Sequence, residues 1–440
     1  MNRYCTAFLT LLLAAGLALP SPALADDEPA DDSTDVVTLE DRNDTGLDLS
    51  DALSWSDAAS AQQDEPTLDV SINGSLRFNA LFRSYGAGQN GNFEDQADNV
   101  LGDGGFTFDT FRIGASGSYG SLIFDAEWAF YPESFGGNYI HHGWVGYEFS
   151  DSRQIQVGVS QVPFGIQPYA SSSWFFNNTY YVGLEDDYDA GIKAVLSPGN
   201  WDLQGAYYMN AEQVDFFGDS NAGRYSYDVI PRTNAGYIDA RGITEQHQFN
   251  AKVAYSFDHG ALGFTKIGVS GQRGQLLNEG TGETDWHAAY AAHLQGRYGG
   301  FEAKLEFAQQ EMNPPVADSE DDRFVVMGAY GSPNRVASEH TVYSSSLAYH
   351  IPVDAGPVSQ IKPYYDFSQV TKEVDGWNDN VSHDIGFLTT AGPLFIYTDL
   401  NISKGHPFNQ PFDGTFAGVM AEQSDNEWRT AFNVNIGIYF

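Results

Sequence analysis

The chain has 440 residues, of which 59 are acidic and 21 basic, giving a net charge of −38. A charge this negative repels phosphate backbones and excludes ordinary nucleic-acid binding. The 14% aromatic content is too high for a disordered chain, and a single Cys excludes a disulfide scaffold or a Cys-based zinc site.

The first 25 residues read as a signal peptide. Arg3 supplies the positive start, Ala7 to Leu19 the apolar run, and Ala23-Leu24-Ala25 the cleavage site before Asp26. The run stops at Pro20 and is too short to span a bilayer as a helix. Cys5 leaves with this segment, and no Cys sits at the cleavage point to carry a lipid. Residues 26–66 hold 14 acidic residues and one basic residue, Arg42. That composition predicts an acidic, flexible periplasmic segment. Ser50 could cap a short helix through Trp55 to Ala61, and an oligomerisation helix or cell-wall contact is the alternative role.

From residue 67 the hydrophobic period is two. Leu68, Val70, Ile72, Leu76, Phe78, Ala80 and Phe82 alternate with Asp69, Ser71, Asn73, Ser75, Arg77, Asn79 and Arg83. Such alternation marks a strand with one apolar and one polar face. Similar rows recur along the chain, for example Val145, Tyr147, Phe149; Ile155, Val157, Val159; Ala190, Ile192, Ala194; Phe249, Ala251, Val253; and Leu394, Ile396, Thr398. Sixteen strands can be read in this way. Short turns, such as Gly120-Ser121, Pro198-Gly199-Asn200, Gly299-Gly300 and Gly392-Pro393, alternate with long polar links near 86–105, 132–138, 163–188, 211–245, 273–284, 311–339, 371–380 and 404–427. The pattern predicts an all-β protein: a 16-stranded antiparallel transmembrane β-barrel over 67–440, with short periplasmic turns and long external loops, in the outer membrane of a Gram-negative bacterium. Aromatic residues at strand ends fit two interfacial girdles.

The closing pattern Phe432-x-Val434-x-Ile436-x-Ile438-x-Phe440 resembles the C-terminal insertion signal of bacterial outer-membrane proteins. The stretch Val157-Gly158-Val159-Ser160-Gln161-Val162-Pro163-Phe164-Gly165, followed by Gly183-Leu184-Glu185-Asp186-Asp187-Tyr188-Asp189-Ala190-Gly191, resembles the phosphate-selective porin O/P-like family. There too a strand ends in Val-Pro-Phe-Gly and enters the third external loop. The resemblance implies a homotrimeric 16-stranded channel with that loop folded inward. The family's phosphate selectivity rests on rows of Arg and Lys, and this sequence departs from them. Of its 59 acidic residues, 14 lie in 26–66, leaving 45 for the barrel; of its 21 basic residues, Arg3 and Arg42 lie outside, leaving 19. Phosphate selectivity is therefore not expected.

Side chains out of phase with the apolar rows should line the pore: Arg77, Arg83, Arg112, Lys193, Lys252, Lys304 and Lys362, with Asp125, Glu127 and Asp189. Glu302, Glu306, Asp366 and Asp399 share that parity. They could pair with opposite charges on neighbouring strands, or set a transverse field at a constriction. The link 163–188 carries Tyr169, Trp174, Phe175, Phe176, Tyr180 and Tyr181, an unusual load for an exposed loop. It is expected to narrow the channel, with Pro163, Phe164, Gly165 and Trp174 shaping it and Glu185, Asp186 and Asp187 near the narrow zone. Packing on a trimer axis or rim is the other reading.

Other motifs carry little. Gly86-x-Gly88-x-x-Gly91 lacks a following helix, no Gly-Lys pair makes a P-loop, and there is no H-E-x-x-H or G-x-S-x-G. No catalytic residue, cofactor or metal site is expected. The acidic links at Asp318–Asp322 and at Asp215 and Asp219 read as solvated loops rather than Ca²⁺ or Mg²⁺ bridges to lipopolysaccharide. The expected partners are small hydrophilic solutes or ions and outer-membrane lipid and lipopolysaccharide. The expected role is a passive porin; an outer-membrane lipase- or protease-type enzyme and a closed structural or adhesion barrel are the alternatives.

Overall fold

The computed structural model describes residues 66–84, 103–212, 222–233, 238–410 and 416–440. The expected signal peptide and nearly all of the acidic segment, the Gly86–Gly91 motif, and Asp215 and Asp219 lie outside the described residues.

In chain order the strands are β1 (Leu68–Arg83), β2 (Asp103–Tyr119), β3 (Leu122–Phe130), β4 (Asn138–Ser150), β5 (Arg153–Gln161), β6 (Tyr188–Leu196), β7 (Trp201–Ala211), β8 (Asp228–Val229), β9 (Ile243–Asp258), β10 (Gly263–Asn278), β11 (Thr284–Tyr298), β12 (Phe301–Met312), β13 (Phe324–Ala329), β14 (Ser332–Ala337), β15 (Glu339–Tyr349), β16 (Ile351–Ala355), β17 (Val358–Lys372), β18 (Asn380–Ala391), β19 (Leu394–Lys404) and β20 (Arg429–Tyr439). β16 prolongs β15 along the same partner, β17. β8, β13 and β14 form a separate small sheet. The other strands make sixteen staves, each antiparallel to its neighbours, and the sheet closes on itself.

Closure is made by β1. It pairs with β2 over its whole length and with β20 from Ser75↔Tyr439 to Arg83↔Ala431. The last residue joins in: Phe440 and Gly74 exchange backbone hydrogen bonds of 3.0 and 2.8 Å. A side chain at position 74 would meet the Arg112 carbonyl and the Phe440 ring, so glycine permits this close approach.

Burial runs opposite to that of a water-soluble protein. Val145, Val157 and Ile192 are neighbours across β4, β5 and β6 and are 64, 48 and 47% exposed. On the alternate rows, Asp366 and Asp399 are 0% exposed. Only a hydrocarbon environment favours that arrangement over its reverse. Exposed Tyr119, Tyr147, Phe149, Trp201, Phe257, Phe301 and Tyr349 ring the short-turn end. Exposed Phe82, Phe108, Trp128, Phe249, Tyr290 and Trp428 ring the other, with aliphatic residues such as Ile113, Val253, Ile267 and Ile385 between. These are the two aromatic girdles and the apolar band of an outer-membrane barrel.

The links differ in detail from the expected boundaries. β10 continues to Asn278, so its link to β11 is only 279–283 rather than 273–284. β2 begins at Asp103, ahead of the Phe111 row that betrays it in sequence. The links 212–242 and 313–338 contain the small sheet, in which Met327 pairs with Val229.

Val157→Arg would place a charge on the lipid face. Its expected cost is about 2–4 kcal/mol of barrel stability near the bilayer midplane, read from denaturant unfolding in lipid vesicles.

Candidate functional site

The third long link, residues 162–187, leaves β5 at Gln161 and returns at Tyr188. Its two ends are held together by Val162 N–H donating to the Asp187 carbonyl, 2.8 Å. The Pro163-Phe164-Gly165 motif then turns the chain off the strand. Gly165 has φ +52°, and a Cβ there would lie 2.4 Å from Oε2 of Glu306. A glycine suits both the left-handed conformation and the approaching carboxylate. The next donors are placed by this turn: Gly165 N–H reaches Ser270 Oγ at 2.9 Å and Ile166 N–H reaches Glu306 Oε2 at 2.7 Å.

Contacts continue to strands far around the barrel. The N–H groups of Ser172 and Ser173 both donate to Asp366 Oδ2 on β17, each at 2.7 Å. Trp174 N–H donates to Asp399 Oδ2 on β19 at 3.4 Å, and Asn178 N–H to Ser368 Oγ at 2.9 Å. Basic side chains take the acceptors. Lys193 Nζ donates to the Gln161 carbonyl at 2.9 Å, Lys252 Nζ to Gln167 Oε1 at 2.8 Å, and Lys304 Nζ to the carbonyls of Tyr169 and Ser171 at 2.9 and 3.2 Å. Acidic side chains of the wall hold several of the loop's N–H groups and basic ones hold its oxygens. Charge-assisted bonds of this kind are the stronger ones.

The three acidic residues expected near the narrow zone are buried, at 5, 3 and 8% exposure for Glu185, Asp186 and Asp187. Glu185 Oε1 accepts from the Ala170 and Ser171 N–H groups at 2.9 and 3.3 Å, and its Oε2 accepts from the Thr179 hydroxyl. Asp186 accepts from Tyr225 OH at 2.6 Å and from Gln161 Nε2 at 3.4 Å. These carboxylates therefore staple the loop to itself and to its surroundings. Burial pushes Glu185 up to about 7 and Asp186 to about 6, against the hydrogen bonds that favour their charged forms.

The remaining expected pore residues alternate with the exposed apolar rows. Arg77 pairs with Asp109 at 3.0 Å and Arg112 with Glu127 at 3.2 Å. Asp125 lies 3.2 Å from His142. Arg83 ends β1 at the long-loop side, and Lys362 lies near the short-turn start of β17; both are partly buried. Arg112 also donates to Tyr131 OH at 2.9 Å and lies 5.1 Å from the Tyr225 ring centroid. Charge pairing across staves is thus part of the picture, while Lys193, Lys304, Asp366 and Asp399 serve the loop backbone.

Sequence parity found Glu306, Asp366 and Asp399 without showing what they hold. It missed Ser270, Ser346 and Ser368, whose small hydroxyls carried no distinguishing pattern, although Ser346 Oγ lies 2.9 Å from Ser172 Oγ. The loop aromatics pack with parts of other links. Tyr181, Val182 and Leu184 join Val325, Met327, Val419 and Met420 in one buried cluster with Ala308, Val342 and Val370 of the staves.

No family model matches the chain, and no curated protein matches its sequence. Solved structures do match in fold. The outer-membrane channel DcaP of Acinetobacter baumannii aligns with a TM-score of 0.54 and 10% identity, covering 85% of this chain and 97% of that one. OmpF of Salmonella typhi aligns at 0.52 and 10%, covering 84 and 98%. The anion-selective porin from Comamonas acidovorans aligns at 0.50 and 13%, covering 85 and 100%. The fold is that of the Gram-negative outer-membrane porins. With its apolar outer band, the barrel belongs in the outer membrane.

Asp366→Asn weakens the acceptor of two loop N–H groups. The expected cost is about 1–3 kcal/mol, seen as faster amide exchange at 171–174 in a barrel that remains folded. Because Glu185 and Asp186 bind protons more tightly folded than unfolded, their effect on stability has a definite sign. It is favourable at pH 4 and is lost as pH rises toward 7. Protection factors across 169–187, that is exchange rates divided into the intrinsic base-catalysed rate at each pH, should therefore be higher at pH 5 than at pH 8; the reverse order would contradict the burial of these carboxyls.

Proposed function

We propose that the protein is an outer-membrane porin. It is a water-filled channel for passive diffusion of small hydrophilic solutes and ions, narrowed by the inward-folded loop 162–187. The observation that carries this reading is the anchoring of Ser172 and Ser173 on Asp366. The loop starts between β5 and β6, while β17 stands across the closed sheet from them. A loop bound on both sides crosses the lumen. A barrel of sixteen strands is wide enough to hold water, and its width is then set by what lies inside it.

Pro163, Phe164 and Gly165 direct the loop inward in this reading, and Trp174 and the 185–187 turn complete the constriction. Arg77, Arg83, Arg112, Asp125, Glu127, Asp189, Lys193, Lys252, Lys304 and Lys362 belong to the polar lining. The lining mixes both signs, whereas the barrel as a whole is strongly acidic, so a weak cation preference is proposed. The resemblance at Val162-Pro163-Phe164-Gly165 supports a homotrimer, with lipopolysaccharide around its outer rim. Residues 1–25 would be removed on export, leaving 26–66 as an acidic periplasmic segment.

A second reading has its own support. The cluster of Tyr181, Val182, Leu184, Val325, Met327, Val419 and Met420 is apolar and buried. Loops packed so densely inside a barrel would also suit a lumen that is closed at rest.

Reconstitution in planar bilayers under a KCl gradient separates the two. Ohmic steps with a cation-positive reversal potential are expected, and deletion of 168–181 should raise the conductance by about twofold or more. Silence from the intact chain, with steps only after that deletion, would instead establish the closed barrel.

A further inference from the structure

A second group of charged side chains lies where the third and fourth long links meet the wall. Asp187 ends the third link, Asp189 is the second residue of β6, and Asp228 belongs to the small sheet of the fourth link. One carboxylate oxygen from each lies within 4.8 Å of the other two. All three residues are buried, as is Glu212 beside them. A single guanidinium serves this side: Arg224 Nη1 lies 3.1 Å from Asp228 and 3.5 Å from Glu212. Four carboxylates against one guanidinium leave a large excess of negative charge out of water, which is costly unless a cation compensates it.

The other observation is independent of the acidic cluster. Gln248 on β9 is 3% exposed and donates its Nε2 to Asp189 Oδ2 at 3.0 Å, yet its carboxamide oxygen has no hydrogen-bond partner among the described residues. The same holds for Oδ1 of Asp187 and of Asp189. Three buried oxygens without a donor thus sit on residues linked to one another, Gln248 to Asp189 by its amide hydrogen bond and Asp189 to Asp187 within the cluster. Buried acceptors are rarely left so. Oxygen-only donors, several of them carboxylates, match Ca²⁺, which takes 6–8 oxygens in flexible geometry. The other group of ligand-type side chains, Glu127 with His141 and His142, offers two imidazoles and one carboxylate, a set less suited to Ca²⁺ than oxygens alone.

We propose that Asp187, Asp189 and Asp228, with the carboxamide oxygen of Gln248, form a Ca²⁺ site that fastens the fourth long link to the end of the third and to the barrel wall. The ion would join segments that otherwise meet through the bond donated by the Tyr188 N–H to the Ser226 hydroxyl oxygen, at 3.0 Å, and a few like it. The role is structural and does not depend on the barrel conducting.

The test uses the full mature chain folded in detergent, stripped with EDTA and then offered ⁴⁵Ca²⁺ at physiological salt. The intact protein should retain a tightly bound ion. Asp228→Asn should weaken it by roughly tenfold or more, whereas a control variant, Asp318→Asn with Asp322→Asn on an exposed acidic link, should keep it. Heat-modifiable gel migration shows that each variant is folded. Amide exchange of the unaltered protein supplies a reading that needs no substitution: Ca²⁺ should slow exchange at 226–230. No retained ion in the intact chain, equal binding by Asp228→Asn, or exchange at 226–230 indifferent to Ca²⁺ would each overturn the site.

Discussion

Every backbone group in contact with hydrocarbon must find its partner within the protein, and the rest of this molecule follows from that requirement. An open sheet would leave two edges unpaired. Here β1 and β20 meet along their length, and the terminal Phe440 adds its own pair of bonds to Gly74. Once the sheet is closed, side chains have only two destinations. The lipid side takes Val145, Val157 and Ile192; the inner side takes nearly everything that can hydrogen-bond.

An inner wall built this way has more polar groups than neighbouring staves can satisfy among themselves. The loop 162–187 resolves this by offering its backbone. Its N–H groups meet Glu306, Asp366 and Asp399, and its carbonyls meet Lys193 and Lys304. A wall that looks like a set of ion rings in sequence is, in three dimensions, largely a cradle. This explains how acidic and basic side chains can be buried on one wall without pairing one to one, since backbone N–H and C=O groups supply the hydrogen-bond partners that opposite charges do not.

The staves were legible because lipid and water impose opposite demands on alternate residues, so the period of two persists through the chain from Leu68 to Phe440. The turn at Gly165 was visible as a motif. Its purpose was not, because the carboxylate it accommodates comes from Glu306, far along the chain. The sheet of β8, β13 and β14 went unread for a related reason: its strands are short, they lie within links, and their pairing is fixed by where the barrel brings them. The meeting of Asp187, Asp189 and Asp228 has the same origin, since Asp228 is delivered by a fold that no local spacing describes.

The small sheet has a kinetic consequence. Met327 and Val229 are separated by four staves, β9 to β12, so their pairing closes a long loop of chain. Ordering such a contact early would carry a large entropic cost, while hairpins between adjacent staves form locally. Neighbouring hairpins can therefore form before the small sheet, whose strands meet only once β9 to β12 stand between them. Pairing of the staves and pairing within the links become separable events, so a defect in the small sheet should leave stave pairing intact.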